Sequence, residues 1–439
     1  MFYHLPMPAA PTEALILPFE AARRTVEHHA SQISATNIET VTLLHAAHRI
    51  LGEPVNADRD IPPFARSTRD GYAVCSADLA NIPAKLKVIG EIKAGPSEMP
   101  RPFNPGETYS IMTGAPVPAG ADAVVMVEYT SQQAGMVEIQ RPVAPGENIV
   151  PQGAEAKRAA VLLSPGTSLN ESAIALAASV GKSRLQVFAR PRIAILTTGD
   201  EIVDVERAPG PTQIRNSNTY SLAVQIQQGG GEPVILPIAP DEPRRLRELM
   251  EQGLNFDFLI MTGGVSMGRY DLVEQVLAEL QAEFFFTGAR IQPGRPVVFG
   301  RVAHDWRGTE VKGPERANRP LPHEPRGYKY FFGLPGNPVS TMVTFELFAR
   351  PMLEALAGMK PRPLIFVHAR LKSQIHIKPG LTRFLPAILS GEYAGSQVEL
   401  VAWQGSGDIG AQSRSNCCIV IPPDRESIAA GEWVAIMPH

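Results

Sequence analysis

At 439 residues and 44% hydrophobic content, the chain has room for about three domains with full cores. Its 41 basic and 44 acidic residues leave a net charge of −3, so no bulk attraction favours nucleic acid or an anionic membrane surface. Three cysteines, Cys75 and the adjacent Cys417 and Cys418, give neither a disulfide framework nor a CxxC metal spacing, and no apolar run approaches the roughly 20 residues of a membrane span. Residues 1–18 lack a basic region followed by an apolar one, so a cytoplasmic location is expected.

The first elements read as helices, with Pro18 opening Phe19 to Ala30 and a second run from Ile38 to Leu51 closed by Gly52. His28, His29, His45 and His48 lack a carboxylate or thiolate to complete a ligand set, so they read as solvated or packing side chains. From Ile61 to Glu147 short apolar alternations separated by Pro and Gly predict a β-rich lobe. A helical pattern returns up to Leu185, with Asn170 capping Glu171 to Val180. The lobe at 61–147 is thus expected as an insertion into a helical stalk made of 14–60 and 148–190.

Strands at Ile193–Leu196, Val234–Leu236, Phe256–Met261 and Val297–Phe299 then alternate with helices at Thr219–Gln228, Pro243–Gln252 and Leu272–Ala282. That alternation predicts a central βα domain over 191–360, with a parallel sheet covered on both faces. The Pro-rich, aperiodic stretch 303–326 reads as a surface insertion. Asn337 and Pro338 sit at the N-cap and first position of a long apolar helix that Pro351 kinks or ends. Strand-like runs at Leu364–Leu371 and Cys418–Ile421 predict a small, barrel-like β-domain over 361–439, which makes the whole an α/β multidomain protein.

The densest chemical signal is the run Thr262-Gly263-Gly264-Val265-Ser266-Met267-Gly268-Arg269-Tyr270-Asp271 at the end of a buried strand. Glycines there free backbone N–H groups for an oxyanion, and Asp271 can hold Mg²⁺; an ordinary strand-to-helix connection with Asp271 as cap explains the run equally well. Asp200, Glu201 and Asp241 follow other strands of the same block, where a parallel sheet binds ligands. Asp241 reads either as a cap or as a hard oxygen ligand, whereas no cap position explains Glu201. Arg295, in the turn Gln292-Pro293-Gly294-Arg295-Pro296, offers a planar fork to an oxyanion. In the N-terminal lobe, the turn-rich runs around Asp70 and Thr113 name no reaction by spacing alone.

Taken in order, four motifs resemble the molybdopterin molybdenumtransferases, the MoeA family that includes the E domain of gephyrin. They are Ser67-x-x-Asp70-Gly71-Tyr72-Ala73, Met112-Thr113-Gly114-Ala115-Pro116-x-Pro118, Gly263-Gly264-Val265-Ser266-x-Gly268-x-x-Asp271 and Gly333-Leu334-Pro335-Gly336-Asn337-Pro338-Val339-Ser340. The resemblance implies insertion of molybdenum from molybdate into adenylylated molybdopterin, with Mg²⁺ as cofactor and AMP released. It assigns catalytic positions to Asp70, Glu201 and Asp271, and Mg²⁺ to Asp241 and Asp271. Thr113, Gly263, Gly264, Ser266, Gly268, Pro335, Gly336 and Asn337 would hold the pterin nucleotide, and Arg295, Pro296, Arg383 and Ser406 the molybdate. It also implies a homodimer with a cleft between the βα domain of one subunit and the Asp70 lobe of the other. The molybdopterin adenylyltransferase and recipient molybdoenzymes are the expected protein partners.

Three features depart from that pattern, one of them the segment Gly153-Ala154-Glu155-Ala156-Lys157, where Gly-Glu-Asp is common and Glu155 stands in for an aspartate. Gln292 stands where many members carry lysine, and 303–326 has no counterpart in short members. The other readings are a non-catalytic pterin-binding scaffold or carrier, and the adenylyltransferase itself, whose family lacks the Asp70 lobe and the C-terminal β-domain.

Overall fold

The computed structural model describes residues 15–35, 37–95, 99–264, 272–303, 327–360, 362–393 and 395–439. They form two compact units: Val41–Ala47 with Glu53–Leu185 make one, and the rest of the chain makes the other.

In the larger unit a six-stranded sheet runs in the order Glu232–Ile235, Arg192–Thr197, Phe258–Thr262, Tyr328–Leu334, Val298–Ala303, Glu283–Phe286. Strand alternation divides the core in two. Ile193, Ile195, Phe258, Ile260 and Phe332 face one cluster with helix Asn218–Gln228. Ala194, Leu196, Leu259, Met261 and Phe331 face a second, with helices Pro243–Gly253 and Leu272–Glu279. Each fully buried Phe or Leu there contributes about 1.5–3 kcal/mol.

The expected all-parallel sheet needs correction. The first four strands are parallel, but Val298–Ala303 runs antiparallel to Tyr328–Leu334, and Glu283–Phe286 antiparallel to Val298–Ala303. Only parallel neighbours require a crossover helix, and among the described residues none separates Val298–Ala303 from Tyr328–Leu334. The 304–326 segment of the expected insertion lies outside the described residues.

The helical stalk is also corrected. Ile38–Thr42 is a strand and only Leu43–Ala46 is helical. β-branched Ile38, Thr40, Val41 and Thr42 favour extended backbone, and His48 has a positive φ of 61° that no helix continues through. Helix Phe19–Ser31 buries Phe19, Ala22, Val26 and Ala30 in the core of the α/β unit. The stretch 148–185 is helical only at Glu171–Ser179, where the Asn170 side chain accepts from the Ala173 N–H at 3.0 Å.

Pro351 marks a break as expected, through a π-turn at Phe345–Ala349 between helices Pro338–Thr344 and Arg350–Leu356. Proline has no N–H for the carbonyl four residues back. Arg23 donates to that carbonyl, Leu347 O, at 2.5 Å.

The C-terminal strands close into a barrel. Thr382–Glu392 pairs with Gly395–Leu400 on one side and Cys417–Ile421 on the other, while Val367–Leu371 and Trp433–Pro438 complete the ring. Ile291–Gln292 joins this barrel in parallel, with Gln292 opposite Arg383.

The smaller unit carries a six-stranded sheet in the order Ala123–Met126, Gly71–Val74, Glu107–Ile111, Ala84–Ile92, Met136–Ile139, Thr130–Gln133. This is the expected β-rich lobe.

Candidate functional site

At the carboxyl ends of the parallel strands lies a cavity of about 680 Å³, a size that accepts a nucleotide-like ligand. Its floor is set by close backbone approach. Gly263 has φ 87°, and a Cβ there would stand 2.3 Å from Thr198 O. A Cβ at Gly336 would come within 3.5 Å of the Gly263 Cα. Glycine is therefore required at Gly263 by both conformation and space, and it leaves main chain facing the cavity.

Side chains tie these turns together. Asn218, at the start of helix Asn218–Gln228, donates from Nδ2 to Thr262 Oγ1 at 3.0 Å and to Gly336 O at 2.7 Å. Thr262 Oγ1 donates onward to Pro335 O at 3.2 Å. Because a carbonyl can only accept, Asn218 must turn its amino group to Gly336 and keep Oδ1 as an acceptor. That Oδ1 and the hydroxyl of Thr198 are buried with no hydrogen-bond partner among the described residues. Thr198, Asn218 and Thr262 line the cavity; Thr262 heads the glycine run, but Asn218 carried no signal in the sequence. A buried Asn at a helix start looks like a cap residue until its partners are seen.

Among the sequence candidates, Glu201, Gly263, Gly264, Pro335, Gly336 and Asn337 line this cavity together. Arg295, Pro296 and Ser406 line it as well, as does Gln292. Gly294 has φ 97° and a Cβ there would meet Thr344 Cγ2 at 2.3 Å, so glycine lets the Arg295 turn lie against helix Pro338–Thr344. Asn337 is the N-cap by position, yet its side chain makes no cap bond and donates to Ser406 Oγ at 3.0 Å. Gly199, with φ 133°, leaves room for the Glu201 carboxylate, whose Oε2 would lie 2.5 Å from a Cβ there.

Asp241 and Arg383 do not line the cavity. Arg383 holds a buried Nη1 with no partner among the described residues, a donor that an oxyanion suits. Asp241 donates its N–H to Asp200 Oδ1 at 3.1 Å. Burial, then the charges of Asp200 and Glu201, push its carboxyl above the ordinary range. The side chain of Asp241 is no helix cap, since the N-cap of Pro243–Gly253 is Glu242. Among the described residues no three acidic, histidine or cysteine side chains converge as a complete metal shell. Mg²⁺ takes one or two carboxylates and keeps its other positions for water and phosphate, so these crowded acids fit it.

Asp70 and Thr113 belong to the smaller unit. Asp70 Oδ1 accepts from Thr113 N at 2.7 Å and from Thr113 Oγ1 at 2.9 Å, and the two donors hold its carboxyl below the ordinary range. Gly71 follows because a Cβ there would strike Val125 O at 1.8 Å. Ser266, Gly268 and Asp271 lie outside the described residues. His29 packs rather than projecting: it stacks on Phe285 with ring centroids 3.9 Å apart. No helix among the described residues is long and apolar enough to cross a membrane.

Three family models match this chain. They are the MoeA N-terminal region (domain I and II) over residues 17–181, a probable molybdopterin binding domain over 194–355, and the MoeA C-terminal region (domain IV) over 368–439. A molybdopterin molybdenumtransferase of Nostoc is 33% identical, covering 92% of this chain and 89% of the relative. One of Bacillus subtilis is 30% identical, covering 96% and 94%. A solved molybdopterin biosynthesis MoeA protein from Pyrococcus horikoshii superposes with a TM-score of 0.69 at 31% identity, covering 96% of this chain and 99% of that one. A second structure under that description gives a TM-score of 0.74 at 27% identity, covering 97% and 100%.

Proposed function

Because the chain belongs to the MoeA family of molybdopterin molybdenumtransferases, we propose that it inserts molybdenum from molybdate into adenylylated molybdopterin, releasing AMP with the help of Mg²⁺. One observation carries this reading: a single cavity joins two close-packed glycine turns, a carboxylate and a cationic turn. Main-chain N–H groups at Gly263, Gly264 and Gly336 would hold the pyrophosphate and pterin, with Ser266, Gly268, Pro335 and Asn337 completing the hold and Thr113 supplied by the other subunit. Arg295 and Arg383 would offset the molybdate dianion while Ser406 and Pro296 shape its seat. Glu201 would act at the reacting centre with Asp271, and Asp70 would be supplied by the other subunit of a homodimer. Asp241 and Asp271 would hold Mg²⁺, which when bound neutralises phosphate charge. A homodimer in the cytoplasm is part of the same reading.

The test is incubation of the purified chain with adenylylated molybdopterin, molybdate and Mg²⁺, with AMP followed by chromatography. Glu201→Gln should lower kcat by about a hundredfold, the usual scale for losing an acid–base or charge-stabilising group. Asp241→Asn should raise the Mg²⁺ concentration for half-maximal rate about tenfold, on the order of what loss of one metal-site carboxylate costs. Protons compete with the cation for Asp241, and its raised pKa starts that competition at higher pH than for an ordinary carboxylate. The Mg²⁺ requirement should therefore climb as pH falls, and climb less in Asp241→Asn. AMP release no faster than a protein-free blank overturns the reading; retained pterin-nucleotide binding without release would favour a carrier.

A further inference from the structure

Part of the cavity lining is apolar, which oxyanion chemistry does not need. Ile202 and Ile214 are register partners in a short parallel pair and line the cavity, and Leu381 and Trp403 line it from the barrel. Ile214 is 59% exposed, apolar surface of the kind a flat ligand covers with gain. Trp403 is partly buried against the barrel core.

Its loop is fixed from several sides. Val401 N donates to Pro386 O at 3.0 Å, Gln404 N to Asp408 Oδ2 at 3.1 Å, and Val339 N to Ser406 O at 3.0 Å. Asp408 also accepts from Ala411 N at 2.9 Å. An indole held this way is preorganised, so a ring that stacks on it loses little to ordering the protein. A second, independent observation concerns polarity. Thr198 and Asn218 are 1% and 8% exposed, line the same cavity, and carry the two unpartnered oxygens already described. Asn218 Oδ1 is an obligate acceptor and calls for a ligand N–H or O–H.

We propose that Trp403, with Ile214 and Leu381 in the same cavity lining, forms a subsite for an amino-substituted heteroaromatic ring, whose N–H groups answer the acceptor of Asn218. The inference rests on the pterin-nucleotide reading, because that substrate carries two such rings, the pterin and the adenine. Trp403 is the stacking platform, and the same cavity's glycine turns take the phosphate.

The experiment uses the full chain with Trp306→Phe and Trp433→Phe, which leaves Trp403 alone of the three tryptophans in the sequence. Its emission and calorimetric binding are followed with AMP, with 6-hydroxymethylpterin phosphate, and with ribose 5-phosphate as the phosphate without a ring. One ringed probe should quench Trp403, and which one does so identifies the ring that seats there. Trp403→Leu should weaken that probe about tenfold, on the scale of one lost ring stack, while leaving ribose 5-phosphate unchanged. Trp403→Phe should recover most of the loss. The proposal is overturned if neither ringed probe binds, if both bind Trp403→Leu as tightly as the parent, or if ribose 5-phosphate weakens in step. AMP release is scored separately: intact release with unaffected Trp403→Leu sinks the subsite alone, and no release with Trp403-dependent ring binding sinks the reading alone.

Discussion

Thr113 supplies both donors that hold Asp70 ionised, one from its main chain and one from its hydroxyl. Removing the hydroxyl separates them. In Thr113→Ala the main-chain N–H remains, so the Asp70 pKa should rise part of the way back to the ordinary carboxylate range, as carbon-detected NMR titration would show. An unchanged pKa would mean that the hydroxyl contributes nothing. The sign for stability follows: a depressed carboxylate favours the folded state above its unfolded pKa, and that contribution disappears as pH falls through the folded value. At this scale the sequence was readable where the residue type is forced. Gly71 and Gly263 must be glycine because a Cβ would collide with backbone carbonyls, and both stood inside recognisable motifs. Asn218 and Trp403 were not readable, because their work depends on partners far away in the chain.

Helix Phe19–Ser31 shows what an element's docking face can hide. His29 lies stacked on Phe285, and burial, followed by the charges of Arg301 and His28 against that of Glu283, lowers its pKa to about 4. Above the ordinary histidine range both folded and unfolded chains hold it neutral. Between about pH 6.5 and about 4 the unfolded chain takes up a proton that the folded one refuses, so stability falls through that window and levels off below it. After allowance for solvent screening, about 1–2 kcal/mol should be lost across the window. His29→Gln should flatten that limb in denaturant titrations at stepped pH, and an unaltered pH slope would rule the mechanism out. The helix itself was legible from its apolar spacing. The 38–51 run was not, since Ile38, Val41 and Leu44 recur at helical spacing while the β-branched residues among them favour a strand. The antiparallel edge escaped for a different reason: the sequence between Val298–Ala303 and Tyr328–Leu334 is aperiodic, and βα alternation carries no signal for antiparallel pairing.

At the scale of the whole molecule, the cavity exists because the barrel and the α/β sheet share one compact unit. Sequence patterns located both, but could not show that the loop carrying Ser406 is tied to the turn carrying Asn337. Two bonds make that tie: Asn337 Nδ2 to Ser406 Oγ at 3.0 Å, and Val339 N to Ser406 O at 3.0 Å. The second survives side-chain replacement, so the first can be measured alone. In a double-mutant cycle, Asn337→Ala and Ser406→Ala should show a coupling of about 0.5–1 kcal/mol in thermal unfolding, near the lower end for a hydrogen bond because this one is exposed. Either single variant frees the barrel loop from the glycine turn and should raise the KM for molybdate, and the double variant should raise it little further. Additive effects on both stability and KM would show that the two sides of the cavity hold their places independently, with the Val339 bond and barrel packing alone setting the distance between them.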